Sequence, residues 1–375
     1  MRAPFGIPML PSVSYVQRTA LSRGERTLPD LAVMGITSSR APLKTTTTLS
    51  EPDSAGPWTR LAAGLGPRSE RSLRHDRDIV EPTPSRPVCV VGETVGARLH
   101  GRTAVDEKTV TVGSQEIAYL QSAGTERTVL LVHGNSSSSR TWRALMAGPF
   151  GQRFRCLALD LPGHGRSVPA VDHSTYSLPG YAATLAGFAE ALAAQDAVTV
   201  GWSLGGHIAI EAAPALPRAA GFFVFGAPPV SVPAQMAEAF LPNPVMNTGF
   251  SADVSPEEAL AYAGSFVAPG SGLALDEFVA DILHTDGTAR AGLAASIGEG
   301  RFADELAIAG ALRQPLAIAQ GENEQLVNLD YLQQLSIPAL WRGAVQIVAA
   351  AGHAPQEEAT QDFASLLDQF IADLG

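Results

Sequence analysis

The stretch Gly201-Trp202-Ser203-Leu204-Gly205-Gly206 limits what this chain can fold into more than any other. It is a G-x-S-x-G. The β-branched run Ala197-Val198-Thr199-Val200 stands just before it, and His207-Ile208-Ala209-Ile210-Glu211-Ala212-Ala213 follows with helical character. A serine on so sharp a strand-to-helix turn has a strained backbone, tolerated where flanking glycines let strand and helix approach closely. The pattern therefore predicts a nucleophile elbow, with the Ser203 hydroxyl exposed at the carboxyl edge of a parallel sheet.

The rest of the chain from Thr109 supplies such a sheet. Val110-Thr111-Val112 and Ile117-Ala118-Tyr119-Leu120 read as an opening antiparallel hairpin. Thr128–Val132 ends at His133-Gly134-Asn135, and Cys156–Asp160 ends at Leu161-Pro162-Gly163-His164-Gly165. Gly221–Phe225, Leu316–Gln320 and Val345–Ala349 are further strands. Continuous apolar runs suit strands covered on both faces, and helix candidates such as Tyr181–Ala194 separate them, so the fold class is α/β. Residues 230–307 break the alternation with helical segments carrying Phe240, Leu241, Met246, Phe250, Tyr262, Phe266 and Phe278. This stretch is expected to form a helical cap after the sixth strand, packing on the core and lining an acyl pocket. A closing helix is expected over residues 356–374, with Phe363, Leu366, Leu367, Phe370 and Ile371 on one face.

Residues 1–108 differ in texture, being dotted with Pro, Arg, Ser and Thr, and are expected to be a disordered extension because they bury too little apolar surface. That leaves 109–375 as the folded domain. The extension carries 15 basic and 11 acidic side chains and the domain 11 and 26, with no lysine after Lys108. An acidic body is a poor partner for nucleic acid or an anionic membrane. A small-molecule ester or lactone is the expected partner, for a monomer or homodimer. Neither a disulfide framework for Cys89 and Cys156 nor a membrane span of about 18 apolar residues is indicated, so the cytoplasm is the expected compartment.

Ser203, Glu324 and His353 fall in three loops at strand ends, in the chain order nucleophile, acid, histidine. A serine hydroxyl attacks only when an imidazole accepts its proton, and the imidazole needs a carboxylate to fix its tautomer. His353 is the expected base, within Ala351-Gly352-His353-Ala354-Pro355. The acid is contested, because Glu322, Glu324 and Asp330 crowd the same loop; Glu324 lies three residues after Gly321, where an acid is expected. His133 and His164 read as loop-shaping residues and His207 as helix packing. Backbone amides of Leu204 and Asn135 would hold the oxyanion. No metal-ligand spacing, dinucleotide fingerprint or Walker loop is present, and no cofactor is expected.

The blocks from His133 to Ser138, Asp160 to Gly165, Gly201 to Ile208, Ala227 to Val230, His284 to Arg290 and Ala351 to Pro355 together resemble the metal-independent N-acyl-homoserine lactonases of the α/β-hydrolase superfamily. The resemblance covers about 109–375. It implies Glu324 as the catalytic acid and places a substrate-contacting tyrosine at Tyr262; Trp202 and Gly134 are the other expected substrate contacts. It also implies that Ser203 opens the lactone ring, that protonated His353 serves the departing ring oxygen, and that water then releases the N-acyl-homoserine, so degrading a bacterial signal. Two other readings stand beside it: a general carboxylesterase with the same triad, and a receptor that keeps the fold without turnover.

Overall fold

The computed structural model describes residues 105–231 and 235–375. The expected disorder of the extension, and Cys89 with it, fall outside the described residues as far as residue 104. The last four residues of that stretch are folded. Strand β1 (Val105–Val112) pairs antiparallel with β2 (Gln115–Ser122) from Val105 opposite Ser122 to Val112 opposite Gln115. The strand thus starts four residues before the expected domain boundary. Its first half, Val105-Asp106-Glu107-Lys108, looks like linker because β1 is an edge strand, where charged side chains discourage further pairing. Gly113, at φ +59°, makes the turn that joins the two strands.

The remaining strands are β3 (Glu126–Val132), β4 (Phe154–Leu159), β5 (Val198–Trp202), β6 (Gly221–Phe225), β7 (Leu316–Gly321) and β8 (Gln346–Val348). All eight form one sheet in the order β1-β2-β4-β3-β5-β6-β7-β8, parallel from β4 across to β8. After β3 the chain goes to one side to make β4, then returns past β3 to make β5. The carboxyl ends of β3 and β5 therefore flank a crevice at the point where the order reverses, where α/β sheets place their ligands.

Alternate side chains of each strand feed two cores. Leu130, Val132, Phe222, Val224, Leu316 and Ile318 point to one. Val129, Leu131, Phe223, Phe225, Ala317 and Ala319 point to the other. Both faces are apolar because both are covered. Helices α1 (Leu178–Ala191) and α2 (Leu204–Ala212) bury Tyr181, Leu185, Phe188 and Ile208 in the first core.

Between β6 and β7 lies the cap. It contains a 3-10 turn at Pro244–Phe250 and helices α3 (Pro256–Gly264), α4 (Asp276–His284), α5 (Gly287–Gly298) and α6 (Glu305–Ala311). Ser255 and Glu258 form a capping box that starts α3. The buried Arg290 guanidinium ties these pieces together, donating to the carbonyls of Ser251 at 2.6 Å, Ile282 at 2.9 Å and Ala252 at 3.0 Å.

The closing helix is broken where one continuous helix is expected. A turn at Pro355–Glu358 ends at Ala359, whose φ of −131° and ψ of 48° are non-helical, before α7 (Thr360–Asp373) begins. The Glu358 carboxylate explains the break: it accepts the backbone N–H groups of Gly352 and Ala268, holding that turn against the His353 loop. Helix α7 then buries Phe363, Leu367, Phe370 and Ile371 in the second core.

Candidate active site

Ser203 is the residue between β5 and α2, with φ 53° and ψ −121°. Such a conformation is uncommon and costly outside glycine. The surroundings hold it in place: the Ser203 amide donates to the Phe225 carbonyl at 2.9 Å, and its own carbonyl accepts from Gly206 at 2.8 Å as the helix begins. A Cβ at Gly201 would stand 2.2 Å from the Gly205 carbonyl oxygen, and one at Gly205 would stand 2.3 Å from that of Val132. Neither position has room for a side chain.

His353 follows β8 on a buried loop. Its Nδ1–H donates to Glu324 Oε2 at 2.8 Å, and both side chains are 2% exposed, so the contact is shielded from water. The other carboxylate oxygen of Glu324 accepts the Leu326 amide at 2.8 Å. The two loops meet because a Cβ at Gly321 would lie 2.0 Å from the Gly352 carbonyl oxygen, an approach that only glycine permits. The competing acids are elsewhere. Glu322 accepts the Ala350 amide, and Asp330 lies in the first turn of the short helix Leu329–Gln334. His353 Nε2 is buried without a hydrogen-bond partner among the described residues, and Ser203 and His353 line the same cavity.

The loop after β3 lies against the elbow, since a Cβ at Gly134 would be 3.2 Å from the Ser203 Cβ. Asn135 lines the cavity, and its Nδ2 donates to the Gly249 carbonyl of the cap at 2.6 Å. Tyr262 reaches the same point, because a Cβ at Gly249 would be 2.5 Å from its hydroxyl and 2.9 Å from Asn135 Nδ2. Burial pushes the Tyr262 hydroxyl well above the usual phenol range, so it stays a neutral donor. Leu204 is the first residue of α2, and a first-turn amide has no acceptor within its own helix.

Two expected substrate contacts are placed differently. Trp202 is fully buried, its ring set edge-on to Phe266 at 5.5 Å and its Nε1–H donating to the His353 carbonyl at 2.7 Å. Alternation along β5 explains this: Trp202 follows Val198 and Val200 into the core, whereas the turn carries Ser203 outward. Gly134 is absent from the cavity wall and contributes by its lack of a side chain. His133 accepts the Leu161 amide on Nε2 at 3.0 Å. Burial lowers it to about 4 and His164 to about 3, so both are neutral at pH 7 and shape their loops.

The cavity above Ser203 measures about 80 Å³ and is walled chiefly by Phe240, Met246, Phe250, Leu293, Ile297 and Phe302. Its polar groups are Ser203, Asn135, Tyr262, His353 and His207. Among the described residues no carboxylate, lysine or arginine stands in the wall, so it suits a largely apolar guest. His207 is the member that sequence reasoning missed. It forms an ion-pair contact at 2.9 Å with Glu305, which lies 98 residues away and gives no local signal.

A model of the α/β hydrolase family matches residues 129–366, which include the elbow, the cap and both partner loops. The chain belongs to the α/β hydrolase family. Among solved structures, this hydrolase is similar to the N-acyl homoserine lactonase AidH in complex with N-hexanoyl homoserine lactone, at 32% identity and a TM-score of 0.68, covering 72% of this chain and 98% of the other. Among curated relatives it is 27% identical over 275 residues to the dihydrolipoyllysine-residue acetyltransferase component of the acetoin cleaving system of Cupriavidus necator, covering 68% of this chain and 66% of that one. It is 34% identical over 95 residues to the pimeloyl-[acyl-carrier protein] methyl ester esterase of Nitrosospira multiformis, covering 25% and 36%. The hydrolase spans no more than 66% of the length of these curated relatives. No helix among the described residues is long and apolar enough to cross a membrane.

Proposed function

We propose that this hydrolase opens the ring of N-acyl-homoserine lactones by Ser203-His353-Glu324 catalysis. The observation that carries the reading is the buried 2.8 Å contact from Glu324 to His353, which lines the same cavity as Ser203. Glu324 fixes the proton on His353 Nδ1, leaving Nε2 to accept the Ser203 proton as the hydroxyl attacks the lactone carbonyl. The amides of Leu204 and Asn135 take up the oxyanion, each such donor contributing ~3 kcal/mol to the transition state. Collapse breaks the ring ester bond, and His353 returns the proton to the departing ring oxygen. The homoserine hydroxyl stays attached through the acyl group until water, deprotonated by His353, attacks the acyl-enzyme and frees N-acyl-homoserine.

Tyr262 and Asn135 converge where the amide of such a substrate would sit, and the apolar wall suits its acyl chain at ~0.8 kcal/mol per buried methylene. The cavity, at about 80 Å³, is small, which favours short chains. The similarity to a lactonase holding N-hexanoyl homoserine lactone supports the same choice. We place the reaction in the cytoplasm, where it would quench a bacterial signal.

A general carboxylesterase is the second reading, favoured by the largely apolar cavity and by the similarity to a methyl ester esterase. Hydrolysis of N-hexanoyl-homoserine lactone and of p-nitrophenyl hexanoate, each with chelator present, separates the two. Lactone opening that survives chelation and is lost in Ser203→Ala supports the lactonase. Fast ester cleavage with negligible lactone opening overturns it.

A further inference from the structure

One polar group in the acyl cavity has no part in the chemistry above. His207 lies on α2, four residues after Ser203, and the two side chains line the same cavity. Its surroundings in the cavity are apolar, with Phe240 at 6.1 Å and Phe302 and Val230 in the same wall. Behind it is a buried acid, Glu305, which is fully inaccessible to water. The Glu305 carboxylate accepts from His207 Nδ1 at 2.9 Å and from the Val230 amide at 3.1 Å. The Glu305 amide in turn donates to the Val230 carbonyl at 3.0 Å, locking the start of α6 to the strand-end loop. Glu211, one turn further along α2, faces the same group and accepts the Ala303 amide at 2.9 Å. With Nδ1 taken by Glu305, His207 Nε2 makes no hydrogen bond among the described residues and stays open to the cavity, the side chain being 13% exposed.

We propose that His207 is a specificity-determining residue, whose Nε2–H donates to an oxygen carried on the acyl chain about four to six bonds from the attacked carbonyl. The inference rests on the reading of Ser203 as the nucleophile of an acyl-ester or lactone hydrolase. A carboxylate buried behind an imidazole is wasted in a wall meant only for methylenes, since an apolar pair of similar size would fill the space at no electrostatic cost. It is useful if the imidazole must be held as a cation and aimed. Burial opposes protonation of His207, but the charge and hydrogen bond of Glu305, reinforced by Glu211, outweigh it and raise the imidazole above its usual range. The cationic form carries a proton on Nε2, and an unsubstituted chain offers that donor no partner. A keto or hydroxyl oxygen satisfies it. Sites with a buried hydrogen-bonding group discriminate in this direction, because the analogue lacking the oxygen strands the site's own donor.

The test is the ratio of kcat/KM within two matched pairs: N-(3-oxohexanoyl)- against N-hexanoyl-homoserine lactone, and p-nitrophenyl 5-oxohexanoate against p-nitrophenyl hexanoate. The full chain should prefer the oxo member by about tenfold. The double variant His207→Leu/Glu305→Leu, which removes both charges together, should bring the ratio to about one, and His207→Gln, which keeps a donor, should restore part of it. Thermal melting checks that each variant is folded. A wild-type ratio near one in both pairs overturns the inference, as does a preference that survives in the folded double variant. Failure to open either lactone, with the ester ratio intact, rejects the lactonase reading while supporting the role of His207.

Discussion

The indole N–H of Trp202 donates to the backbone carbonyl of His353 at 2.7 Å, so the neighbour of the proposed nucleophile on β5 holds the loop of the proposed base. Both groups are buried, so neither has water as a substitute partner. Trp202→Phe keeps most of the ring packing and removes the donor. Urea titration should show a loss of about 1–2 kcal/mol from the orphaned carbonyl. If that bond also sets the position of His353, kcat should fall several-fold with KM little changed, whereas unchanged kcat would make Trp202 a packing residue alone.

Among the three acids of the β7 loop, Glu324 alone contacts His353. Glu324→Gln should lower kcat/KM on the order of 10³- to 10⁴-fold, because the amide no longer fixes the tautomer or stabilises the imidazolium. Glu322→Gln and Asp330→Asn should stay within about threefold of the parent. Steady-state kinetics on all three checks the assignment. A comparable loss from Glu322→Gln would redirect it.

Much of this was legible in the sequence, for identifiable reasons. Strands such as Thr128–Val132 and Gly221–Phe225 are buried on both faces, so their apolar runs are unbroken, and the glycines around Ser203 are forced by backbone crowding that any side chain would violate. Three features were hidden. The start of β1 is polar because it is an edge, which made Val105–Lys108 look like the end of the extension. The direction of Trp202 depends on where alternation along β5 gives way to the turn, one residue before Ser203. The pairing of His207 with Glu305 joins residues 98 positions apart through the return of the cap to the sheet, and no local pattern encodes such a meeting.

Arg290 satisfies three carbonyls of the cap at once. Arg290→Met would leave those acceptors buried and should cost about 3 kcal/mol or more. Since two of them directly follow the turn that carries Met246 and Phe250 into the cavity wall, the loss should also admit longer chains. The profile of kcat/KM against acyl length should be narrow in the parent, declining beyond about eight carbons, and broader in the variant.

Burial raises Glu357 to about 7, only partly offset by Thr141 and Arg140. A carboxyl whose folded value lies above its unfolded one binds a proton more tightly when folded. Its contribution to stability is complete below about pH 4.5 and is lost as pH rises through about 7. Glu357→Gln should therefore match the parent near pH 4.5 and exceed it at pH 8 by on the order of 2 kcal/mol. Denaturant unfolding at the two pH values measures the difference. A variant equally stable relative to the parent at both would refute the shift.

The central claim is that the serine at the elbow is a nucleophile served by the histidine 150 positions further on. Labelling with a serine-directed fluorophosphonate, followed by peptide mapping, tests it most directly. The account predicts one modified residue, Ser203, with labelling abolished in Ser203→Ala and slowed by several orders of magnitude in His353→Ala. A folded protein that takes up no label, or takes it up elsewhere, would contradict it.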